Sequence, residues 1–319
     1  MADKMEVLVS GASGFVGQAL VKNLRDLPEL RVSGSVRSAQ RNPIDGMLEI
    51  GDIHSKTDWS ALLRNKKVVI HTAALLNSTH DEVADRLAAF REVNTAGTLN
   101  FARQAAAAGV RRFVFISSIK VNGEQTLRGV PFKEGDAPDP SDAYAISKLE
   151  AEQGLWEIGR DTDMEIVVIR PPLVYGPGVK GNFASLVALV CRGLPLPLGA
   201  VENKRSFVSL KNLVDLVTVC MVHPKAANQL FLVSDGDDLS TPELLRRVAT
   251  AVEKTAILIP VPNRFLEFAA FVLGRKMQAQ RLLGSLQVDI TKVRDLLNWE
   301  PPISVDEGLR RCCEAKRDY

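Results

Sequence analysis

Short β-branched runs alternate with stretches of helical period through the first half of the chain. EVLVS (6–10), RVSGSV (31–36), KVVIHTAA (67–74), RRFVFISS (111–118) and MEIVVIRP (164–171) read as strands. VGQALVKNLRDL (16–27) has helical spacing, and residues 81–110 predict a long helix closed by Gly109. Strands apolar along their whole length are buried on both faces, as happens when helices cover both sides of a parallel sheet. The pattern predicts an α/β fold with a doubly wound parallel sheet.

After RPPLVYGPG (170–178) the texture changes. Gly and Pro cluster at 176–181 and 193–199, and strands become fewer. Residues 206–236 read again as core elements, and 237–319 are mostly helical in pattern. Two bodies are expected: 1–172 with 206–236, and a smaller, mostly helical C-terminal lobe made of 173–205 and 237–319.

Composition acts by exclusion. Of 319 residues, 46% are apolar and 24% charged, ordinary values for a globular protein. A net charge of +2 does not point to nucleic acid or to an acidic membrane surface. Cys191, Cys220, Cys312 and Cys313 form no C-x-x-C pair, so neither a metal site nor a disulfide framework is indicated. The chain enters a strand at once with no leader-like apolar stretch, and a cytoplasmic location is expected. FLEFAAFVLG (265–274) is about half the length that crosses a bilayer, and is expected to be a buried helix, with shallow membrane contact as the lesser alternative.

SGASGFVG (10–17) joins the first strand to the first helix. Gly11, Gly14 and Gly17 let backbone N–H groups approach a pyrophosphate at the helix N-terminus. The second strand ends in Arg37, with no carboxylate between residues 30 and 44. An acidic residue there binds ribose hydroxyls, whereas arginine suits a 2′-phosphate, so NADP(H) is favoured over NAD(H). A solvated loop arginine is the plainer alternative.

Tyr144 and Lys148, in YAISK (144–148), stand one turn apart on one helix face. A lysine ammonium beside a phenol lowers the phenol pKa, which suits acid–base work near neutrality. Ser117 and Ser118 follow an apolar strand, at the sheet edge where ligands bind. His71, at a strand end, is expected to be a packed side chain.

Taken in order, GASGFVG, GDI (51–53), HTAA (71–74), NTAGT (94–98), FVFISSIKVNG (113–123), YAISK, RPPLVYGPG and LLNWEPP (296–302) resemble the extended short-chain dehydrogenase/reductase family, especially its nucleotide-sugar branch. The resemblance covers essentially the whole chain. It implies a Rossmann-like first body that binds the dinucleotide through Gly11, Ser13, Gly14, Phe15, Val16, Gly17, Arg37, Asp52, Ile53, Thr72, Ala73, Ala74, Asn94, Tyr144, Lys148 and Pro171. Ser118 becomes the catalytic hydroxyl, Tyr144 the acid–base and Lys148 its electrostatic partner and ribose ligand; Ser117 is not chosen. Arg205, in KRSFVSLKNLVD, becomes the substrate-diphosphate ligand, with Asn182 and Arg281 as further substrate contacts. A homodimer is implied. The chain departs from the family pattern at Ile116, at Asn122 (for tyrosine) and at Asn298 (for glycine).

Dehydratases of this branch carry an Asp-Glu pair beside the serine. Ile119 and Lys120 stand there, so dehydration is set aside. Arg37 makes NADPH-dependent reduction of a nucleotide-linked 4-keto-6-deoxy sugar, such as a UDP-2-acetamido-2,6-dideoxy-4-hexulose of surface-polysaccharide synthesis, the expected reaction. The alternative is an NAD-dependent UDP-sugar 4-epimerase. A catalytically inactive NADP-binding sensor or scaffold is a remote third, since both Tyr144 and Lys148 are retained.

Overall fold

The computed structural model describes residues 4–38, 46–76, 83–274 and 276–314. Its first half alternates strands and helices: β1 (Met5–Ser10), α1 (Phe15–Arg25), β2 (Leu30–Val36), β3 (Met47–Glu49), α2 (Ser60–Leu63) and β4 (Val68–His71). Next comes a continuous helical stretch of α3 (Val83–Phe90), a π-helical segment (Arg91–Gly97) and α4 (Thr98–Ala107). The first two residues of the expected long helix lie outside the described residues. Then follow β5 (Arg112–Ile116), α5 (Ala143–Asp161), β6 (Glu165–Arg170), β7 (Leu173–Tyr175), α6 (Gly181–Cys191), β8 (Phe207–Ser209), α7 (Leu210–Val222) and β9 (Gln229–Leu232). The C-terminal part holds α8 (Thr241–Ala251), α9 (Asn263–Val272), α10 (Lys276–Leu283), α11 (Thr291–Leu297) and α12 (Val305–Glu314).

Seven strands pair in parallel in the order β3-β2-β1-β4-β5-β6-β9. This is the Rossmann-like sheet, whose strand order reverses between β1 and β4. Successive residues of one strand serve opposite cores. Val7, Val9, Val68 and Ile70 face α1 and α7, with Leu20, Leu24, Leu213 and Val217. Leu8, Val69, Phe113 and Phe115 face α4 and α5, with Phe101, Leu155 and Ile158. Burial on both faces is what their unbroken apolar sequences require.

The short sheet β7–β8 packs into a third cluster, where Tyr175, Phe183, Val187, Leu245, Val248 and Leu309 join α6, α8 and α12. Asn298 ends α11 in the left-handed conformation at φ 50°. Asparagine tolerates that conformation best after glycine, so the family glycine is replaced with its turn preserved.

One expectation fails. FLEFAAFVLG is helical, but α9 buries no residue. Phe268 is 67% and Phe271 71% exposed. A ten-residue helix with so wide an apolar face would need neighbours on several sides, and here α10 is the main helix it packs against.

Candidate active site

A cavity of about 680 Å³ opens at the C-terminal ends of β1, β2, β4 and β5, at the reversal of strand order. Its floor is the glycine loop: Gly11, Ser13, Gly14, Phe15, Val16 and Gly17 line it. Gly11 has φ +70°, and a Cβ there would stand 2.7 Å from the Ala73 nitrogen. A Cβ on Gly17 would stand 2.1 Å from the Gly11 carbonyl oxygen. Only glycine allows this closeness, which leaves the backbone bare toward the cavity. No side chain caps the α1 N-terminus, so its first N–H groups are available to an anion. These features fit a dinucleotide pyrophosphate.

The end of the cavity at β2 is walled by Arg37, Asp52 and Ile53, and Thr72, Ala73, Ala74 and Pro171 also line it. Arg37 Nε lies 3.0 Å from Asp52 Oδ1, an ion pair in which both partners are mostly exposed. Ser35, missed in the sequence, also lines this wall. Its Oγ is buried and has no hydrogen-bond partner among the described residues. A buried hydroxyl without a partner is costly unless a ligand supplies one. The signal was its place at the end of β2, two residues before Arg37.

Asn94 lies behind the wall, on the π-helical segment. Its Oδ1 accepts from the Leu75 amide at 2.7 Å, and its Nδ2 donates to the Leu75 carbonyl (3.1 Å) and to Ser147 Oγ (3.1 Å). It shapes the cavity loop instead of facing the cavity. His71 is a packed side chain between Ser10 Oγ and Thr98 Oγ1, and burial pushes it down to about 3, so it stays neutral.

Ser118 and Tyr144 line the far end of the cavity. Ser118 begins a short 3₁₀ turn, and its Oγ accepts from the Lys120 amide at 3.3 Å. Asp142 caps α5 by accepting from the Ala145 amide at 2.8 Å, which aims the first turn, with Tyr144, at the cavity. Lys148, one turn on, is fully buried. Its Nζ donates to the Ile116 carbonyl at 2.7 Å and lies 3.9 Å above the centre of the Phe115 ring.

The electrostatics correct one expectation. Burial pushes the Tyr144 phenol up to about 12, with the Asp142 carboxylate adding to it, and Lys148 does not offset this. Burial pushes Lys148 down to about 7, against the pull of the Glu152 carboxylate. The shared face is present, but the Lys148 amine is bound to the Ile116 carbonyl, and desolvation is the largest influence on both groups, reinforced by Asp142 at Tyr144 and opposed by Glu152 at Lys148.

Behind the two serines runs a buried polar chain that no sequence motif announced. Ser117 Oγ donates to Glu152; Arg170 donates to both Glu152 oxygens, at 3.0 Å from Nε and 2.5 Å from Nη2; and Arg170 Nη1 donates to Asn122 Oδ1 at 2.8 Å. Glu152 is one turn beyond Lys148, so this chain ties α5 to the ends of β5 and β6. Asn122, the family tyrosine's replacement, has become part of it. Both serines line the cavity; the Ser117 hydroxyl is engaged with Glu152, and that of Ser118 accepts only from the Lys120 amide among the described residues.

Of the other substrate-side residues, Asn182 and Arg205 do not line this cavity. Asn182 is exposed in the first turn of α6. Arg205 Nη1 donates to the Gly284 carbonyl at 2.9 Å, and its backbone bridges Leu239 and Leu286. The Arg281 side chain lies outside the described residues.

Residues 7–233 match the NAD dependent epimerase/dehydratase family. A protein of Vibrio cholerae named UDP-glucose 4-epimerase is 50% identical over 311 residues, 97% of this chain and 94% of its own. A Pseudomonas aeruginosa GDP-6-deoxy-D-mannose reductase is 26% identical over 228 residues, 69% of this chain and 70% of its own. The fold is shared with UDP-glucuronic acid 4-epimerase from Bacillus cereus in complex with NAD, at a TM-score of 0.78 and 20% identity, covering 99% of this chain and 100% of that one. The chain belongs to the NAD dependent epimerase/dehydratase family, whose relatives include enzymes of nucleotide sugars.

Proposed function

We propose that the protein is a UDP-hexose 4-epimerase. The observation that carries this is its 50% identity, across nearly the whole chain, to a protein named UDP-glucose 4-epimerase. A nicotinamide dinucleotide bound in the cavity supplies the hydride acceptor and donor. Tyr144, as its phenolate, takes the proton of the sugar C4 hydroxyl and later returns it, and Ser118 hydrogen-bonds the same oxygen. Lys148 holds the nicotinamide ribose. Arg205 grips the substrate diphosphate, and Asn182 is a further substrate contact. On this reading the enzyme works as a homodimer in the cytoplasm, with Rossmann segments 1–172 and 206–236 and the remainder forming the substrate lobe.

The reductase expected from the second strand becomes the second reading. Arg37 and Ser35, standing where a ribose-binding carboxylate would be, favour NADPH and therefore net reduction of a 4-keto sugar nucleotide. A reductase exchanges its cofactor every turnover; an epimerase need not. The purified protein is incubated with UDP-glucose or UDP-N-acetylglucosamine and no added reductant. Interconversion of C4 epimers supports the epimerase. Consumption of added NADPH with a UDP-4-keto-6-deoxy sugar, without interconversion of the hexoses, overturns it in favour of the reductase.

A further inference from the structure

Among the described helices α9 stands apart. Phe265, Phe268 and Val272 form one stripe at i, i+3 and i+7, widened by Phe271 and Leu273, and all five are at least 55% exposed. Singly exposed apolar residues need no explanation, but a contiguous apolar helix face marks a surface that something covers.

Charge indicates what covers it. The stretch 263–281 carries Arg264, Arg275, Lys276 and Arg281 against a single carboxylate, Glu267. The Arg264 guanidinium stacks 4.9 Å from the centre of the Phe265 ring, at the start of the face. A phenylalanine face on a basic stretch is the pattern of a helix lying in the headgroup region of an anionic bilayer. An isologous contact with a second copy would set this positive stretch against itself, which like-charge repulsion opposes. No described helix is long and apolar enough to cross a membrane, so the contact is peripheral.

We propose that the α9 face docks on an anionic lipid bilayer surface. Arg264 and the apolar residues of the face are outside the cavity and outside the proton-transfer set, so docking through them is separable from catalysis. The same helical hairpin ends at Gly284, whose carbonyl holds Arg205. Docking therefore brings the proposed diphosphate arginine's neighbourhood to the membrane.

The test is co-sedimentation of the full chain with vesicles of equal parts phosphatidylglycerol and phosphatidylcholine, and with phosphatidylcholine alone. Binding is expected to the anionic vesicles only, and to fall in high salt. Phe268→Glu with Phe271→Glu lowers partitioning by roughly tenfold or more, and Arg264→Glu by roughly fivefold. Both variants keep the wild-type melting temperature and dinucleotide affinity, because the altered side chains are exposed. Absence of binding to anionic vesicles, or unchanged binding by the double variant, overturns the proposal. So does a dimer that dissociates in the double variant with no vesicle binding, which would assign the face to a second copy.

Discussion

The Lys148 ammonium is bound to the Ile116 carbonyl oxygen, 2.7 Å away. One bond thus connects helix α5 to the strand end from which Ser117 and Ser118 continue. The position where family members carry a hydroxyl side chain contributes here through its backbone.

Lys148 should make stability depend on pH. Its pKa falls from 10.5 to about 7 on folding. Below pH 7 folded and unfolded chains both carry the proton, and the cost of burying the charge is fully present. Between 7 and 10.5 only the unfolded chain keeps it, so stability rises with pH across that window. Lys148→Met removes the cost, worth at most about 5 kcal/mol. Its melting temperature should exceed that of wild type near neutrality and lose the advantage toward the alkaline limit; a difference independent of pH would refute this. The variant should also lose activity and dinucleotide affinity.

Tyr144→Phe should lose at least the ~10²–10⁴-fold of a general acid–base residue while still binding dinucleotide, since the ring packs edge-on against Phe90 with or without its hydroxyl. Activity within a few-fold of wild type would remove Tyr144 from the mechanism.

The two serines should separate by readout. Ser118→Ala should lower kcat with little change in stability. Ser117→Ala should lower stability, by about 1–3 kcal/mol, because it removes a donor to buried Glu152. The opposite pairing of effects would exchange their roles.

Glu152→Ala should cost about 3–5 kcal/mol in urea unfolding, because it strands the Arg170 guanidinium in the interior. Removing both partners in Glu152→Ala/Arg170→Met should be less harmful than the sum of the single changes. Strict additivity would mean the pair is not coupled.

Cofactor choice reads out the end of β2. Arg37→Ala should weaken NADPH by roughly one to two decades, the worth of a charge-assisted bond, and leave NADH nearly unchanged. Ser35→Asp should shift the preference toward NADH by supplying a ribose-binding carboxylate. Fluorescence titration measures both. Equal binding of NADH and NADPH by wild type would show that Arg37, already paired with Asp52, is not a 2′-phosphate ligand.

What was legible in the sequence was local. The loop with Gly11, Gly14 and Gly17 announces itself through spacing and its place between strand and helix, and Tyr144 and Lys148 through one helical turn. The chain Ser117–Glu152–Arg170–Asn122 was not legible, since its members come from four segments that only the sheet brings together. The lysine's direction was likewise invisible: spacing gives a shared helix face, whereas the Ile116 carbonyl decides where the ammonium goes. The α9 face was misread because apolar composition was taken to mean burial, an inference that runs only one way.

The π-helical segment at Arg91–Gly97 makes chain length itself a constraint on the loop that walls the cavity. A π turn holds more residues than an α turn, and each residue of helix advances the direction of its side chain by about 100°. Deleting one residue there would let the stretch relax into regular α-helix. Everything upstream would then be rotated against everything downstream, with no change in polarity or volume. Asn94, which holds Leu75 by both its amide and its carbonyl, would lose that grip. The segment therefore behaves as a register mark, intolerant of a deletion that the exposed surface of α3 would otherwise absorb.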